Sequence, residues 1–428
     1  MIKIEQLSRD RWREQIPVRS QFEYADVNAS MEAILKDVLE NGDEALKRYN
    51  LKFDHAETPE LEVSKEEIEA AVSRVDPEFL RVLKEAADHI KSYHEKQVRH
   101  DYITHEKDGV VLGQMILPIE KVGIYVPGGT AALPSTLLMN AIPAKLAGVN
   151  ELVVASPPGN NGTIPDVILA AAYVAGVDHV YRVGGAQAIA ALAYGTETIP
   201  AVYKIVGPGN IYVSMAKKMV YGKVAIDMIA GPSEILIIAD KNSNPAFVAA
   251  DMLSQAEHDK MATAILITES EELAYLVRDE LENRLAKLER SAIARASIDD
   301  NGRIIIVPDL AEAVKISNDI APEHLELCVD DPFALLDDVV NAGSVFMGRY
   351  CPEPFGDYMA GPNHTLPTSG TARFSSPLSI DDFIKTSQFT YFTKNAFDSL
   401  APDVEYFAKK EGLTAHAASV SVRREEKK

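Results

Sequence analysis

The chain has 428 residues, 46% hydrophobic and 25% charged, enough for two or three domains around a large buried core. A formal net charge of -21 excludes a phosphate-backbone partner, which needs a basic footprint, so no nucleic acid is expected. Two cysteines, Cys328 and Cys351, are too few for a disulfide framework and fit a reducing compartment.

The chain opens with Met1-Ile2-Lys3-Ile4-Glu5-Gln6 and then charged residues, so no secretory signal is expected. The longest apolar run, 167–177, falls well short of the ~20 residues a membrane helix needs. A cytoplasmic protein without a membrane partner is the expectation. Residues 1 to about 100 read as helical, because 30–49 and 64–96 carry apolar residues at three- and four-residue steps among many charges.

From about 111 the rhythm changes to short β-branched runs that alternate with Ala-rich stretches. Strands are expected at 121–126, 151–155, 179–183 and 202–206, each followed by a Gly- or Pro-rich turn and then a helix. A second series follows at 234–239, 264–268, 303–307, 325–329 and 344–347, again separated by helical segments. The pattern predicts two α/β layers of similar build on parallel sheets. After about 380 the chain reads as helical again and ends in Arg423-Arg424-Glu425-Glu426-Lys427-Lys428, a solvated tail.

Glycine turns between strand and helix favour anions, since helix amides point at whatever sits there. None of these turns reads G-x-G-x-x-G, and no acid stands the usual ~20 residues beyond. Taken alone, the glycines are accounted for as tight turns.

Several polar groups stand out as candidates for chemistry. Gln255 and His258, three residues apart, share one face if they lie on a helix, and an imidazole nitrogen with an amide oxygen is half of a four-ligand metal site. A hydrogen-bonded surface pair would show the same spacing. Glu323 and His324 adjoin at an expected helix-to-strand junction and could divide proton transfer between them, or form a surface pair. Asp357 and His364 occupy a Pro- and Gly-rich stretch that reads as a long irregular loop, and such loops are usually functional. Glu411 and His416 lie near the C-terminus, where an ordinary helix end would look the same. Cys351 reads as a packing residue rather than a thiolate ligand.

Ten blocks taken together resemble the histidinol dehydrogenase family over most of the chain. They are Val126-Pro127-Gly128-Gly129, the 184–192 segment beginning Gly184-Gly185-Ala186-Gln187, Gly207-Pro208-Gly209-Asn210, the 226–234 segment containing Ala230-Gly231-Pro232-Ser233-Glu234, Leu253-Ser254-Gln255-Ala256-Glu257-His258, Pro322-Glu323-His324-Leu325, Ala342-Gly343-Ser344-Val345-Phe346, Gly356-Asp357-Tyr358, Asn363-His364 and Leu413-Thr414-Ala415-His416. Each is weak by itself; ten in order are specific. Cys351 before Pro352 and the charged tail are unlike the family pattern.

The resemblance implies oxidation of L-histidinol through the aldehyde to L-histidine, using two NAD per turnover and one zinc ion per subunit. It implies an α/β fold of two similar incomplete Rossmann-like parallel-sheet domains with helical N- and C-terminal extensions. The expected division is 1–105 helical, 106–233 the NAD-side domain, 234–378 the zinc and catalytic domain, and 379–428 a C-terminal arm. Zinc ligands would be Gln255, His258, Asp357 and His416. Ser233, His364 and Glu411 would hold the amino alcohol beside that set and His324. Tyr125, Gln187 and Asn210 would hold NAD. His324 would take the hydroxyl proton and Glu323 would activate water. A homodimer with shared active sites, Glu411 and His416 coming from the partner, is also implied. The alternatives are a related zinc- and NAD-dependent dehydrogenase of another small alcohol, such as a sulfonated diol, and a zinc hydrolase without a redox cofactor.

Overall fold

The computed structural model describes residues 1–15, 25–128 and 132–425. Gly129 of the first glycine turn and residues 426–428 of the tail lie outside them. Residue contacts divide the chain into two units, one of Met1–Gln97 with Ile119–Phe383 and one of Val98–Pro118 with Ile384–Lys428. The finer four-part division read from the sequence remains a proposal.

The first unit holds two wholly parallel sheets. One has five strands in the order His179–Arg182, Glu151–Ser156, Lys121–Tyr125, Lys204–Val206, Ala225–Ile226. The other has six, in the order Lys3–Gln6, Arg303–Ile306, Thr263–Thr268, Glu234–Ala239, His324–Cys328, Ser344–Met347. Both are α/β layers of the kind the alternating runs predict. Parallel sheets need cover on both faces, which is why their strands read as unbroken apolar runs.

The strand Glu234–Ala239 shows how the two-residue period sorts side chains. Ile235, Ile237 and Ala239 pack with Val248 and Met252 of the helix Pro245–Ala256. Leu236 and Ile238 point the other way, into a cluster with Ala313, Val314 and Ile316 of the helix Leu310–Ile320. In the first sheet Val122 and Ile124 belong to one cluster, whereas Tyr125 joins another with Ala188 and Leu192 of the helix Gly185–Tyr194.

The second unit contains a three-stranded antiparallel sheet, ordered Ile384–Phe392, Val110–Pro118, Tyr102–Thr104, and the paired helices Lys394–Lys410 and Thr414–Glu425.

Several features depart from the sequence expectation. The mostly helical N-terminal region begins with the strand Lys3–Gln6 at the edge of the second sheet, where Ile4 packs beside Ile2 on one core cluster. The C-terminal region is not helical from 380, because Ile384–Phe392, rich in β-branched and aromatic residues, pairs along its length with Val110–Pro118. His324 opens its strand rather than preceding it, and Asp357 sits in a short helix, Pro354–Tyr358, inside the stretch expected to be irregular.

Candidate active site

Two regions of the first unit gather the polar residues singled out above. The first is a cavity of about 970 Å³ at the carboxyl ends of the five-stranded sheet. The chain leaves Lys121–Tyr125 in one direction through Glu151–Ser156 to His179–Arg182, and then returns to Lys204–Val206 on the opposite side. Such a reversal opens a crevice at the strand ends, the usual ligand position in open α/β sheets. Tyr125, Gln187 and Asn210 all line it.

Each of the three is fixed by local structure. The Tyr125 hydroxyl accepts a hydrogen bond from the Gly185 amide at 3.0 Å, tying the first glycine turn to the third. Burial pushes that phenol up to about 12, so it stays protonated with its own hydrogen free to donate. Gln187 is buried in the first turn of the helix Gly185–Tyr194. The Asn210 side chain caps the helix Ile211–Val220, accepting from the Tyr212 and Val213 amides.

The turn that carries Asn210 is clamped from below. Gly207 has φ +109°, and a Cβ there would stand 2.2 Å from the Tyr125 carbonyl oxygen, so only glycine fits. Its amide donates to Asp227 Oδ2 at 2.8 Å, and its carbonyl accepts from Lys217 Nζ at 2.9 Å. Lys217 and Asp227 form an ion pair with side chains 2% and 1% exposed. Neither residue was singled out from the sequence, where a lysine in an amphipathic helix looks solvated.

The second region lies at the amino end of the six-stranded sheet. Glu234, His324 and Ser344 each open a strand, and His324 pairs with Ile235 and Ser344. The helix Pro245–Ala256 runs back after the strand Glu234–Ala239, so its last turn returns Gln255 to this end. His258 is not on that helix. The helix stops at Ala256, and the His258 amide closes a tighter turn onto the Gln255 carbonyl at 3.1 Å. Asp259 then captures the Met261 amide, which explains why the helical face cannot continue.

His324 is 5% exposed, far from the surface pair that its sequence allowed. Its Nδ1 lies 2.9 Å from the Glu234 carbonyl oxygen and its Nε2 3.8 Å from Glu353 Oε1. Burial lowers its pKa to about 4, with the charge of Asp357 opposing and His364 and His258 adding to the fall. Glu323 is buried beside it, accepting from the Glu234 amide at 2.9 Å. Burial, then the charge of Asp357, hold the Glu323 carboxyl well above its usual range.

The acids of this region are driven apart. Burial resists ionisation of Asp357, but the hydrogen bond and charge of His364, with help from Glu353 and His324, hold it at about 2. Glu353 goes the other way, to about 9, through burial and the nearby Asp357 charge, against a hydrogen bond from Gln255. His364 Nδ1 is 3.4 Å from Asp357 Oδ1. His324, Glu353 and Asp357 offer ligand atoms within 4.8 Å of one another, a spacing that suits a metal ion. Gln255 Oε1 is buried without a hydrogen-bond partner among the described residues, as expected of an amide oxygen meant for a cation.

Glu353 was missed from the sequence. Its signal was the four-residue spacing to Asp357, which one helical turn places side by side. Gly356 allows that turn to sit tightly, since a Cβ there would meet the Phe346 ring at 2.6 Å. Ser233 is half-buried, just before the strand Glu234–Ala239. Glu411 and His416 belong to the second unit, where both are exposed, one at the end of Lys394–Lys410 and the other on Thr414–Glu425. Cys351 is half-buried and Cys328 buried, both as free thiols.

The family profile described as histidinol dehydrogenase matches residues 18–424. The chain belongs to the histidinol dehydrogenase family. It is 52% identical over 417 residues to the histidinol dehydrogenase of Clostridium acetobutylicum, covering 97% of each chain. It is 56% identical over 402 residues to that of Bacillus cereus, covering 94% of each. The crystal structure of histidinol dehydrogenase from Elizabethkingia anophelis superposes with a TM-score of 0.94 at 40% identity, covering 99% of this chain and 98% of that one. Family membership makes the chain an NAD-dependent oxidoreductase acting on histidinol in histidine biosynthesis, and a different small alcohol as substrate is not favoured. Among the described residues no helix is long and apolar enough to cross a membrane.

Proposed function

We propose that the chain oxidises L-histidinol to L-histidine in two NAD-linked steps around one zinc ion per subunit. The observation that carries this reading is the convergence of buried Gln255, Glu323, His324 and Glu353 with half-buried Asp357 and His364 at one end of the second sheet. We assign zinc to Gln255, His258, Asp357 and His416, a set of two imidazoles, a carboxylate and an amide oxygen. Bound there, the ion would supply Lewis acidity and a fixed anchor for the amine and imidazole of the substrate. NAD, held by Tyr125, Gln187 and Asn210, would supply the hydride acceptor for each step.

The chain's own groups divide the remaining work. A carbonyl oxygen only accepts, so the proton of neutral His324 is on Nδ1 and the lone pair is on Nε2. That lone pair takes the hydroxyl proton while the carbinol carbon loses hydride, which leaves the aldehyde. Ionised Glu323 would then draw a proton from the water that adds to the aldehyde carbon, while the imidazolium of His324 returns its proton to the aldehyde oxygen, forming the hydrate. Loss of a second hydride and a hydroxyl proton from the hydrate yields the carboxylic acid. Ser233, His364 and Glu411 bind and orient the substrate.

We further propose a cytoplasmic homodimer in which the partner's Glu411 and the partner's His416 complete each site, an arrangement consistent with their exposure on the second unit. Mixing purified protein with histidinol and NAD tests the activity. The expected result is two NADH per histidine formed, with loss of activity after prolonged chelation and recovery on adding zinc. Absence of NADH would overturn the redox reading; activity indifferent to complete metal removal would overturn the zinc assignment.

A further inference from the structure

The wall of the sheet-end cavity that faces the glycine turns carries a carboxylate with no task in the scheme above. Asp54 ends a single π-helical turn, Asn50–Asp54, that follows the helical stretch Ala25–Tyr49, which is kinked at Gly42. The turn is rigidly placed. Asn50 is fully buried and donates to the Arg182 carbonyl at 2.7 Å and to Thr58 Oγ1 at 2.9 Å, which fastens it to the end of the strand His179–Arg182. Phe53 stacks on Tyr49 with ring planes 3° apart, and His55 stops the turn in a left-handed conformation at φ +54°. Asp54 therefore lines the same cavity as Tyr125, Gln187 and Asn210 from a fixed position.

Its Oδ2 atom has no solvent contact and no hydrogen-bond partner among the described residues. No cation there forms an ion pair with it; the nearby Lys52 ammonium sits over the Phe53 ring, 5.0 Å from its centre. An acid held this way works against folding, because a desolvated carboxylate oxygen without a partner is costly. Burial accordingly raises its pKa to about 6, with His55 opposing. Such a group is explained if the half-buried side chain turns its carboxylate into the cavity that it lines and a ligand there supplies the missing donors.

The chemistry of the cavity narrows which donors those are. The helix Gly185–Tyr194 has no side-chain cap, so the first-turn amides beyond Gly185 suit a pyrophosphate. The strand Glu151–Ser156, by contrast, runs into Ser156-Pro157-Pro158-Gly159, where no acid is available for a sugar. A carboxylate can accept two hydrogen bonds at once and so matches a vicinal diol.

We propose that Asp54 accepts hydrogen bonds from a ribose diol of NAD and, by its charge, rejects a dinucleotide phosphorylated at the 2′ position. The inference rests on the NAD reading above and adds a specificity determinant from outside the sheet. The helical N-terminal region thereby supplies the acid that the strand-and-turn frame lacks.

Titration of the full-length protein with NAD and with NADP, without substrate, tests it by calorimetry. The Asp54→Asn and Asp54→Ser variants should bind NAD roughly 10- to 100-fold more weakly, as expected for loss of charge-assisted hydrogen bonds. Their preference for NAD over NADP should narrow by a similar factor, with folding confirmed by thermal melting. If both folded variants keep NAD affinity and the NADP ratio within about twofold of the parent, the role of Asp54 is wrong while the cofactor reading stands. If the parent protein itself binds no NAD, both fail together.

Discussion

The Nδ1 atom of His324 lies 2.9 Å from the main-chain oxygen of Glu234, and this contact selects the tautomer of a buried imidazole. With the proton committed to Nδ1, the base is Nε2, facing Glu353. The second sheet thus positions the base through its backbone, because Glu234 and His324 open neighbouring strands. His324→Ala should lower kcat by about 10²- to 10⁴-fold, the usual worth of a positioned proton acceptor. Rapid-mixing measurement of NADH formation checks the rate, and elemental analysis should show zinc unchanged. Loss of the metal in that variant would contradict a purely acid–base role.

Glu353 has a different position, between Gln255 and Asp357. As an outer partner it would turn the Gln255 amide so that Oε1 is left for the metal. Partners of this kind are typically worth 10- to 100-fold in metal affinity. Glu353→Gln should weaken zinc by about that factor in competition with a chelator of known affinity. A much larger loss would make Glu353 a ligand in its own right, and unchanged affinity would leave it without a role at the metal.

His258 carries no helical constraint, since the helix ends before it, yet its charge is felt at His324. His258→Asn should reduce zinc occupancy and substrate affinity together. Normal zinc content in the purified variant would remove His258 from the proposed ligand set.

Lys217 and Asp227 hold both polar atoms of the Gly207 peptide and are almost completely buried. Lys217→Met would strand the Asp227 charge, at a cost of about 3–5 kcal/mol in unfolding free energy. Denaturant unfolding should show that loss, and adding Asp227→Leu should recover much of it while NAD binding stays weak. Full NAD affinity in the double variant would show that the ion pair stabilises the fold without shaping the turn.

Asp54 gives a prediction with a definite sign. Its carboxyl titrates near 6 in the folded chain, above the ~3.9 of an unfolded one, so the native state binds protons more tightly. Stability therefore falls as pH rises from about 4 through 6, and the full penalty applies above 6. Because the group is only half-buried, solvent screening reduces the penalty to about 1 kcal/mol. Asp54→Asn should be more stable than the parent by that amount at pH ~8 and equal to it near pH ~4. The opposite order at pH ~8 would mean that the carboxylate has a stabilising partner.

Local patterns in the chain were enough to place most strands and helices, because hydrophobic period depends on near neighbours alone. Nine strand positions read from β-branched runs recur in the two parallel sheets, while the edge strand Lys3–Gln6 and the antiparallel strand Ile384–Phe392 escaped. Those two depend on a distant pairing partner more than on their own composition. The ordered blocks around Gln255, His324 and Asp357 also carried the family. Tertiary structure alone decided what those residues can do. Only the assembled sheet buries His324, sets its tautomer and separates the acidities of Glu323, Glu353 and Asp357. Burial and electric field are sums over groups far apart in the chain, so no stretch of letters contains them. Lys217, Glu353 and Asp54 looked like ordinary charged residues until the fold enclosed them.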